Sequence, residues 1–510
     1  MQRGAYRDAA NSMITSRDMV MAEPKVKHDR AEPALPRLRQ RILWAGGWAG
    51  AGFVLDKVIA AIQLMVVARL LTPADFGVMA ASAAIVLAFM TISELGIESA
   101  LIAKTVVDRE DLAVAWTIAI ARGIAMAACL WAAADAIGQA MQMPQLASVL
   151  RVQAWMVVLQ GFQSPAMAIV IKNLDLRRRV TMDLVRRVIE AGTIIALAWW
   201  LRNVWALLAG QLVGICVGSL LSFWVAPFRP RLSLCTQPLI EFLRFGTYVS
   251  LTSLLVFAVT SGGEFVVGRV LGPEGLGLYT LALALPIMIG IRAPILMLQV
   301  SMPVYSQLRL DKSGTVRAFG MHFGLLVLVL SPVGVIMAVA APEIVRMLGG
   351  EKWMEAAEPL RVLSIFALCS GLAGAMGSLQ YGLGRPELPL RVWIGQFVIY
   401  AAAIVPLTNR YGLIGAAWAL SLSYLCGCGL YVFYTSRLLG AEAWSVFSPL
   451  VRTVLPLVAG LSLFLLVRDR GGSAVPDRWT LLAGTLSAVG MYLLYVWWVE
   501  YPRLLKLWQA

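Results

Sequence analysis

Apolar runs of about twenty residues, each closed by a short polar or glycine- and proline-bearing break, follow one another along almost the whole chain. A helix needs about that length to cross roughly 30 Å of hydrocarbon, and the runs lack the strict alternation of shorter membrane strands. The pattern predicts fourteen spans, at 43–69, 74–96, 112–137, 146–171, 179–201, 204–226, 245–270, 275–300, 317–341, 357–381, 388–408, 412–436, 447–467 and 479–500. Residues 1–42 break it, carrying nine Lys/Arg against five Asp/Glu, with Pro33 and Pro36 and no apolar run. A cleaved signal would place its apolar stretch near the N-terminus, so this segment reads as a basic cytoplasmic tail or as the product of an early start codon.

Composition strengthens the membrane reading. With 59% hydrophobic and 14% charged residues over 510 positions, too little polar surface exists to cover a soluble globule of this size. The class is therefore an all-α polytopic membrane protein. With both termini on the cytoplasmic side, Lys and Arg accumulate on the inner face even when the tail is left out, the direction that the positive-inside rule demands. The densest group, Lys172, Arg177, Arg178, Arg179, Arg186 and Arg187, suits orientation and binding to anionic membrane lipids. The net charge of +14 concentrates on that face and does not call for nucleic acid.

A short repeat organises the spans. Ala68-Arg69-Leu70-Leu71-Thr72-Pro73-Ala74-Asp75-Phe76-Gly77 is echoed by Gly268-Arg269-Val270-Leu271-Gly272-Pro273-Glu274-Gly275-Leu276-Gly277, with Arg69/Arg269, Leu71/Leu271, Pro73/Pro273 and Gly77/Gly277 in register. Both read as tight helix–helix turns, with Thr72 or Gly272 at the N-cap, proline at the first helical position and an acid in the first turn. The copies join spans 1 to 2 and 7 to 8, so the period is six helices and the two halves enter the membrane in the same sense. The plan is an N-lobe at 43–227, an inter-lobe linker at 228–244, a C-lobe at 245–436, a helix pair at 447–500 and a cytoplasmic end at 501–510.

Six plus six plus two spans resemble the multidrug/oligosaccharidyl-lipid/polysaccharide exporter superfamily, and the local wording resembles its polysaccharide-transport branch, the Wzx-type oligosaccharide flippases. Besides the turn at 68–77, the resemblance is carried by Glu94-Leu95-Gly96-Ile97-Glu98, Leu243-Arg244-Phe245-Gly246, Met302-Pro303-Val304-Tyr305-Ser306, Gly350-Glu351-Lys352-Trp353, Leu383-Gly384-Arg385-Pro386 and Tyr411-Gly412-Leu413-Ile414-Gly415. It implies a carrier in the bacterial inner membrane that moves an undecaprenyl-diphosphate-linked oligosaccharide outward for exopolysaccharide, capsule or O-antigen assembly. It further implies alternating access between the lobes, an H+ or Na+ gradient as the energy source, and the polysaccharide polymerase machinery as a partner. Ser261-Gly262-Gly263-Glu264 departs from the polar Asn/Asp run more frequent there, which bears on substrate contacts in span 7.

Charges inside hydrocarbon are costly and are functional candidates. Lys57, Arg122 and Arg292 lie within spans 1, 3 and 8; guanidinium groups meet a diphosphate bidentately, and a lysine adds a point charge. Pro286 and Pro294 bracket Arg292, so span 8 should be kinked there. Asp56 stands beside Lys57, and because adjacent helix positions point about 100° apart, the two are not expected to neutralise one another. Asp56, Glu264 and Glu190 are the acids placed to couple an ion. Glu264 can instead pair with Arg269, and Glu94 and Glu98 suit an interfacial role. His322 suits a hydrogen-bonded position, and tryptophans and tyrosines suit interface belts or stacking on sugar rings.

No metal-ligand cluster, phosphate loop or Asp-x-Asp pattern stands in the chain, so neither metal nor cofactor is implied. The cysteines fall mostly inside spans as small apolar residues. A multidrug cation exporter would want an acidic aromatic cavity in place of three deep cations. A peptidoglycan-precursor (lipid II) flippase shares fold and charge, and a polymerase or ligase would need a large outer loop, whereas the longest expected one is 342–356. If the deep cations hold the substrate, Lys57→Ala and Arg292→Ala trap lipid-linked glycan on the cytoplasmic face of inner-membrane vesicles at equal protein levels. Unaltered transport would make these cations structural.

Overall fold

Thr72 and Asp75 determine how the chain turns after its first helix. Thr72 has extended backbone angles and its hydroxyl accepts from the Asp75 amide at 3.3 Å, while the Asp75 carboxylate accepts from the Thr72 amide at 3.1 Å. This reciprocal capping box satisfies two donors that a helix start leaves orphaned, and Pro73 follows where no amide is needed. The second Asp75 oxygen accepts from the Val204 amide at 3.1 Å, so one carboxylate starts two helices that are 129 residues apart.

The computed structural model of the chain describes residues 34–93, 101, 107–172, 175–233, 254–292, 301–302 and 304–440. Two compact units divide after Gly47; among the described residues the first contains only helical backbone from 34 to 47, and Trp48–Ala510 holds the packed helices. Among the described residues there is no strand. The helices are α1 (Ala34–Leu70), α2 (Pro73–Ile92), α3 (Arg109–Ala140), α4 (Pro144–Gly161), the short α5 (Met167–Lys172), α6 (Leu176–Leu201), α7 (Val204–Val225) and α8 (Gly262–Ile287). They continue with α9 (Lys312–Val339), α10 (Ala341–Gly349), α11 (Ala357–Gly382) and α12 (Glu387–Leu439).

Among the described residues eight helices are long and apolar enough to cross a membrane, and the chain is a multi-pass helical membrane protein. Two of the eight, Leu254–Ile291 and Glu387–Leu439, each cover two expected spans. Glycines bend them: Gly272 sits at φ 72°, ψ −173° inside α8, and Gly412 at φ 59°, ψ −134° inside α12. Residues with a Cβ rarely adopt either conformation. Past Pro286, α8 loosens into a π-helical turn, Met288–Arg292, the distortion expected where proline removes a backbone donor. The expected outer loop at 342–356 is instead mostly helical, as α10 followed by a 3-10 segment, Glu351–Ala356. The expected spans 13 and 14, most of the linker, Glu94, Glu98 and Pro294 lie outside the described residues.

The closest packing pairs α2 with α8, α11 with α12, α3 with α4 and α6 with α7. The α2–α8 crossing joins the two copies of the repeated turn. A Cβ built on Gly77 would lie 1.7 Å from the Pro273 carbonyl oxygen, and one on Gly277 would lie 1.8 Å from the Pro73 carbonyl oxygen. Only hydrogen fits at either point, and the contact is reciprocal. Around it, Trp353 is fully buried, donates its indole N–H to the Ala68 carbonyl at 2.8 Å and meets the Phe76 ring edge-on at 5.0 Å. Lys352 donates to the carbonyls of Arg69 at 3.1 Å and Leu71 at 2.5 Å, and Arg69 donates to the Met347 carbonyl at 3.1 Å. Lys352 and Trp353 thus occupy carbonyls that the end of α1 cannot satisfy internally, and Arg69 does the same at the end of α10. Arg269 is exposed.

Gly77→Ala and Gly277→Ala are expected to lose about 1–3 kcal/mol each through forced separation of packed backbones. Gly429→Ala, with nothing within 4 Å, is expected to be neutral apart from helix propensity. Thermal unfolding midpoints of the three variants in detergent check this.

Candidate functional site: a charged cluster beside a polar cavity

Helix α7 carries glycines at four-residue spacing, Gly210, Gly214 and Gly218, and α6 runs opposite with Ile194, Glu190 and Arg186 at the same spacing. A Cβ on these glycines would fall 2.1 Å from Ile194 Cγ1, 2.9 Å from Glu190 Oε2 and 2.7 Å from Arg186 Cδ. The stripe is a groove that admits charged side chains between two helices packed at close range. Glu190 is buried there and accepts from Arg186 at 2.8 Å and Arg187 at 3.2 Å.

Arg187 also reaches α1, with Nε 3.6 Å from Asp56 Oδ1. Lys57 donates to Asp56 at 2.7 Å and lies over the Phe53 ring at 5.3 Å. The expectation that Asp56 and Lys57 do not neutralise each other is corrected: the four methylenes of Lys57 bring its ammonium round the helix despite the angle between the Cβ directions. Asp56, Lys57, Arg186, Arg187 and Glu190 thus form one ion-pair cluster across α1 and α6. The basic group assigned to the inner surface divides accordingly. Arg177 and Arg178 are exposed, whereas Arg186 and Arg187 are turned into the cluster.

Beside the cluster lies a cavity of about 560 Å³ between α2, α3, α4, α6 and α7. Arg122 of α3, Arg179 and Asp183 of α6, and Gln160 and Gln163 at the end of α4 line it. The chain break after α4 makes its floor: the Ser164 amide donates to Ser222 Oγ at 2.9 Å and its hydroxyl donates to the Ala226 carbonyl at 2.8 Å, tying this break to the end of α7. Arg179 Nε stands 3.8 Å from Asp183, a loose pair that leaves guanidinium donors for another acceptor. Such a cavity can hold an anion with several acceptor oxygens and offers amide and hydroxyl groups alongside.

The remaining candidates are elsewhere. Glu264 is half-buried near the start of α8, and no ion pair joins it to Arg269. The Tyr279 and Tyr400 hydroxyls are hydrogen-bonded to each other, and Tyr400 touches the Gly263 backbone beside Glu264. Arg292 ends the π-helical turn, and its side chain lies outside the described residues. His322 Nδ1 and the Tyr305 hydroxyl are 2.7 Å apart. Arg179 and Asp183 as cavity-lining groups were not read from the sequence. Their spacing of four, on a helix whose next turns carry Arg186 and Glu190, is the pattern that points to them.

Comparison with known proteins bears on what this arrangement serves. Residues 66–358 match the family described as polysaccharide biosynthesis protein. The chain is 22% identical to the lipopolysaccharide biosynthesis protein WzxC of Escherichia coli over 74% of this chain and 77% of WzxC. It is 22% identical to the succinoglycan biosynthesis transport protein ExoT of Rhizobium meliloti, over 90% and 94% of the two lengths. Among solved structures, the fold is similar to the lipid II flippase MurJ in an inward closed conformation, with a TM-score of 0.71, 13% identity, 91% of this chain and 100% of that one covered. It is also similar to an inward-facing multidrug resistance transporter of the MATE family, with a TM-score of 0.58, 16% identity and coverages of 75% and 95%.

The cluster makes a double-mutant prediction. Arg187→Leu leaves Asp56 and Glu190 each short of a partner and is expected to destabilise by about 1–3 kcal/mol, less than a fully buried pair because its side chain retains some exposure. Arg187→Leu with Glu190→Leu is expected to lose less than the sum of the single changes when the cycle is measured by thermal unfolding.

Proposed function

Since the chain belongs to the polysaccharide biosynthesis protein family, we propose that it is a flippase for an undecaprenyl-diphosphate-linked oligosaccharide, working in the bacterial inner membrane with both termini cytoplasmic. The observation that carries the reading is the cavity with Arg122 and Arg179 on its wall, lined in part by α2, α3 and α7, which are long and apolar enough to cross a membrane. A diphosphate brings negative charge and many acceptor oxygens, and two guanidinium groups from different helices meet it with directed, charge-assisted hydrogen bonds. The ion-pair cluster behind Arg179 fixes α6 and sets the local field, with Lys57, Arg186 and Arg187 as reserve cations.

Two six-helix lobes pivot at the Gly77–Gly277 crossing in this reading, with the Lys352 and Trp353 contacts holding one end shut while the other admits substrate. Movement of Arg292 on the loosened end of α8 contributes to that gate. Coupling to an H+ or Na+ gradient falls to Glu264, which, unlike Asp56 and Glu190, has no ion-pair partner among the described residues. Anionic lipids meet the exposed Arg177 and Arg178, and the polysaccharide polymerase machinery receives the carried glycan. The similarity to the succinoglycan biosynthesis transport protein ExoT over most of its length supports transport of a polysaccharide precursor.

Arg122→Ala and Arg179→Ala are each expected to slow translocation by roughly 10- to 100-fold, the worth of a hydrogen bond to a charged group. The measurement is appearance of undecaprenyl-diphosphate-linked oligosaccharide on the outer leaflet of inner-membrane vesicles at matched protein levels. Full rates in both variants would remove the diphosphate assignment.

A further inference from the structure

A second cavity, of about 270 Å³, lies among the helices after residue 254 and differs in kind from the first. Among the described residues no carboxylate, amine or guanidinium lines it. Its walls are aromatic: Tyr381 of α11 and Trp393, Tyr424 and Tyr431 of α12. The Tyr424 ring is held edge-on by Phe366 at 4.7 Å and by Trp393 at 6.4 Å, so its position is set by packing before any ligand arrives. Gln396 also lines it: the residue is 1% exposed, its carboxamide is packed against Gly427, where a Cβ would lie 2.1 Å from Nε2, and neither the carboxamide nitrogen nor its oxygen has a hydrogen-bond partner among the described residues.

A buried carboxamide with neither end paired costs free energy that a closely packed bundle ordinarily avoids. An isoprenoid or acyl chain in the cavity would leave that cost in place. A pyranose removes it once the Gln396 side chain rotates from Gly427 toward the cavity, because the amide can then donate to one hydroxyl and accept from its neighbour while the C–H face of the ring lies against an aromatic face. Among the lining residues, Tyr381, Trp393, Tyr424 and Tyr431 carry further neutral hydrogen-bonding groups. The volume is below the roughly 300–1,000 Å³ of sites for drug-sized ligands, a fit to one sugar ring and not to an oligosaccharide.

We infer that this cavity is a subsite for a single uncharged pyranose unit of the carried glycan. The inference rests on the flippase reading and deepens it: the anionic linkage is held at Arg122 and Arg179, and a neutral sugar is read separately, by Gln396 and the rings of α11 and α12. Gln396 is a specificity-determining residue in this arrangement. Small residues on α11 keep the space open; a Cβ on Gly377 would approach the Tyr431 hydroxyl at 3.6 Å, so a longer side chain there enters the cavity.

The test uses the full chain in lipid nanodiscs prepared without glycoside detergent. Methyl α-D-glucopyranoside and methyl α-D-galactopyranoside are the probes, read by saturation-transfer NMR, with farnesol as the apolar comparison. Wild type is expected to bind at least one hexoside. Gln396→Leu, close in volume, and Gly377→Leu, which fills the space, are each expected to weaken binding about tenfold with the thermal unfolding midpoint retained. Absence of hexoside binding to wild type, or binding unaffected by both variants, overturns the subsite. So does farnesol binding that persists in Gln396→Leu while neither hexoside binds. Vesicle translocation by wild type distinguishes the two readings: transport without hexoside binding removes the subsite alone, and no transport of the lipid-linked glycan removes the flippase reading with it.

Discussion

The packing of this bundle depends on two hydrogens. At Gly77 and Gly277 the backbones of α2 and α8 approach until each glycine faces the other helix's proline carbonyl, at separations where any Cβ would overlap the oxygen. In lipid, helices gain nothing by hiding apolar surface from one another, so association rests on close van der Waals contact and on polar groups. A reciprocal glycine-to-carbonyl crossing supplies the first kind at its strongest. The second kind surrounds it, where Lys352, Trp353 and Arg69 donate to carbonyls across the same junction.

Much of this junction was readable from the chain alone. The repeated Arg, Leu, Pro and Gly positions marked two equivalent helix starts, and Thr72-Pro73-Ala74-Asp75 spelled out its cap. What could not be read was that the two copies touch each other, because a repeat reports similarity and not proximity. Asp56 and Lys57 show a different limit. The helical angle sets the Cβ directions, but a lysine stem is long enough to carry its charge round the helix. The Gly210, Gly214 and Gly218 stripe was also available in the sequence. Its meaning depended on the opposite helix offering Glu190 and Arg186 in register, which only the fold reveals.

The charged groups divide by what they face. Where two helices are in direct contact, as at α6 and α7, the charges are paired and their field is mostly spent on one another. Where the helices separate around space, Arg122, Arg179 and Asp183 line a wall, and the Arg179–Asp183 pair is loose at 3.8 Å. Around the second cavity, among the described residues, ionised side chains are absent from the lining and aromatic rings replace them. Counting deep charges along the chain cannot separate these settings, since Arg179 and Arg186 lie on one helix, two turns apart.

Lys352 and Trp353 grip α1 entirely through its carbonyl oxygens. A backbone carbonyl is supplied by any residue type, so half of this junction is indifferent to which side chains α1 carries. At the glycine crossing the opposing atom is likewise an oxygen of the main chain, but there the two glycines themselves are fixed. Sequence drift in α1 therefore leaves the grip intact so long as the helix ends at the same place, whereas a one-residue insertion or deletion before Leu71 rotates its carbonyls away from their donors. The grip on α1 is tolerant of substitution in that helix and intolerant of changes in its length.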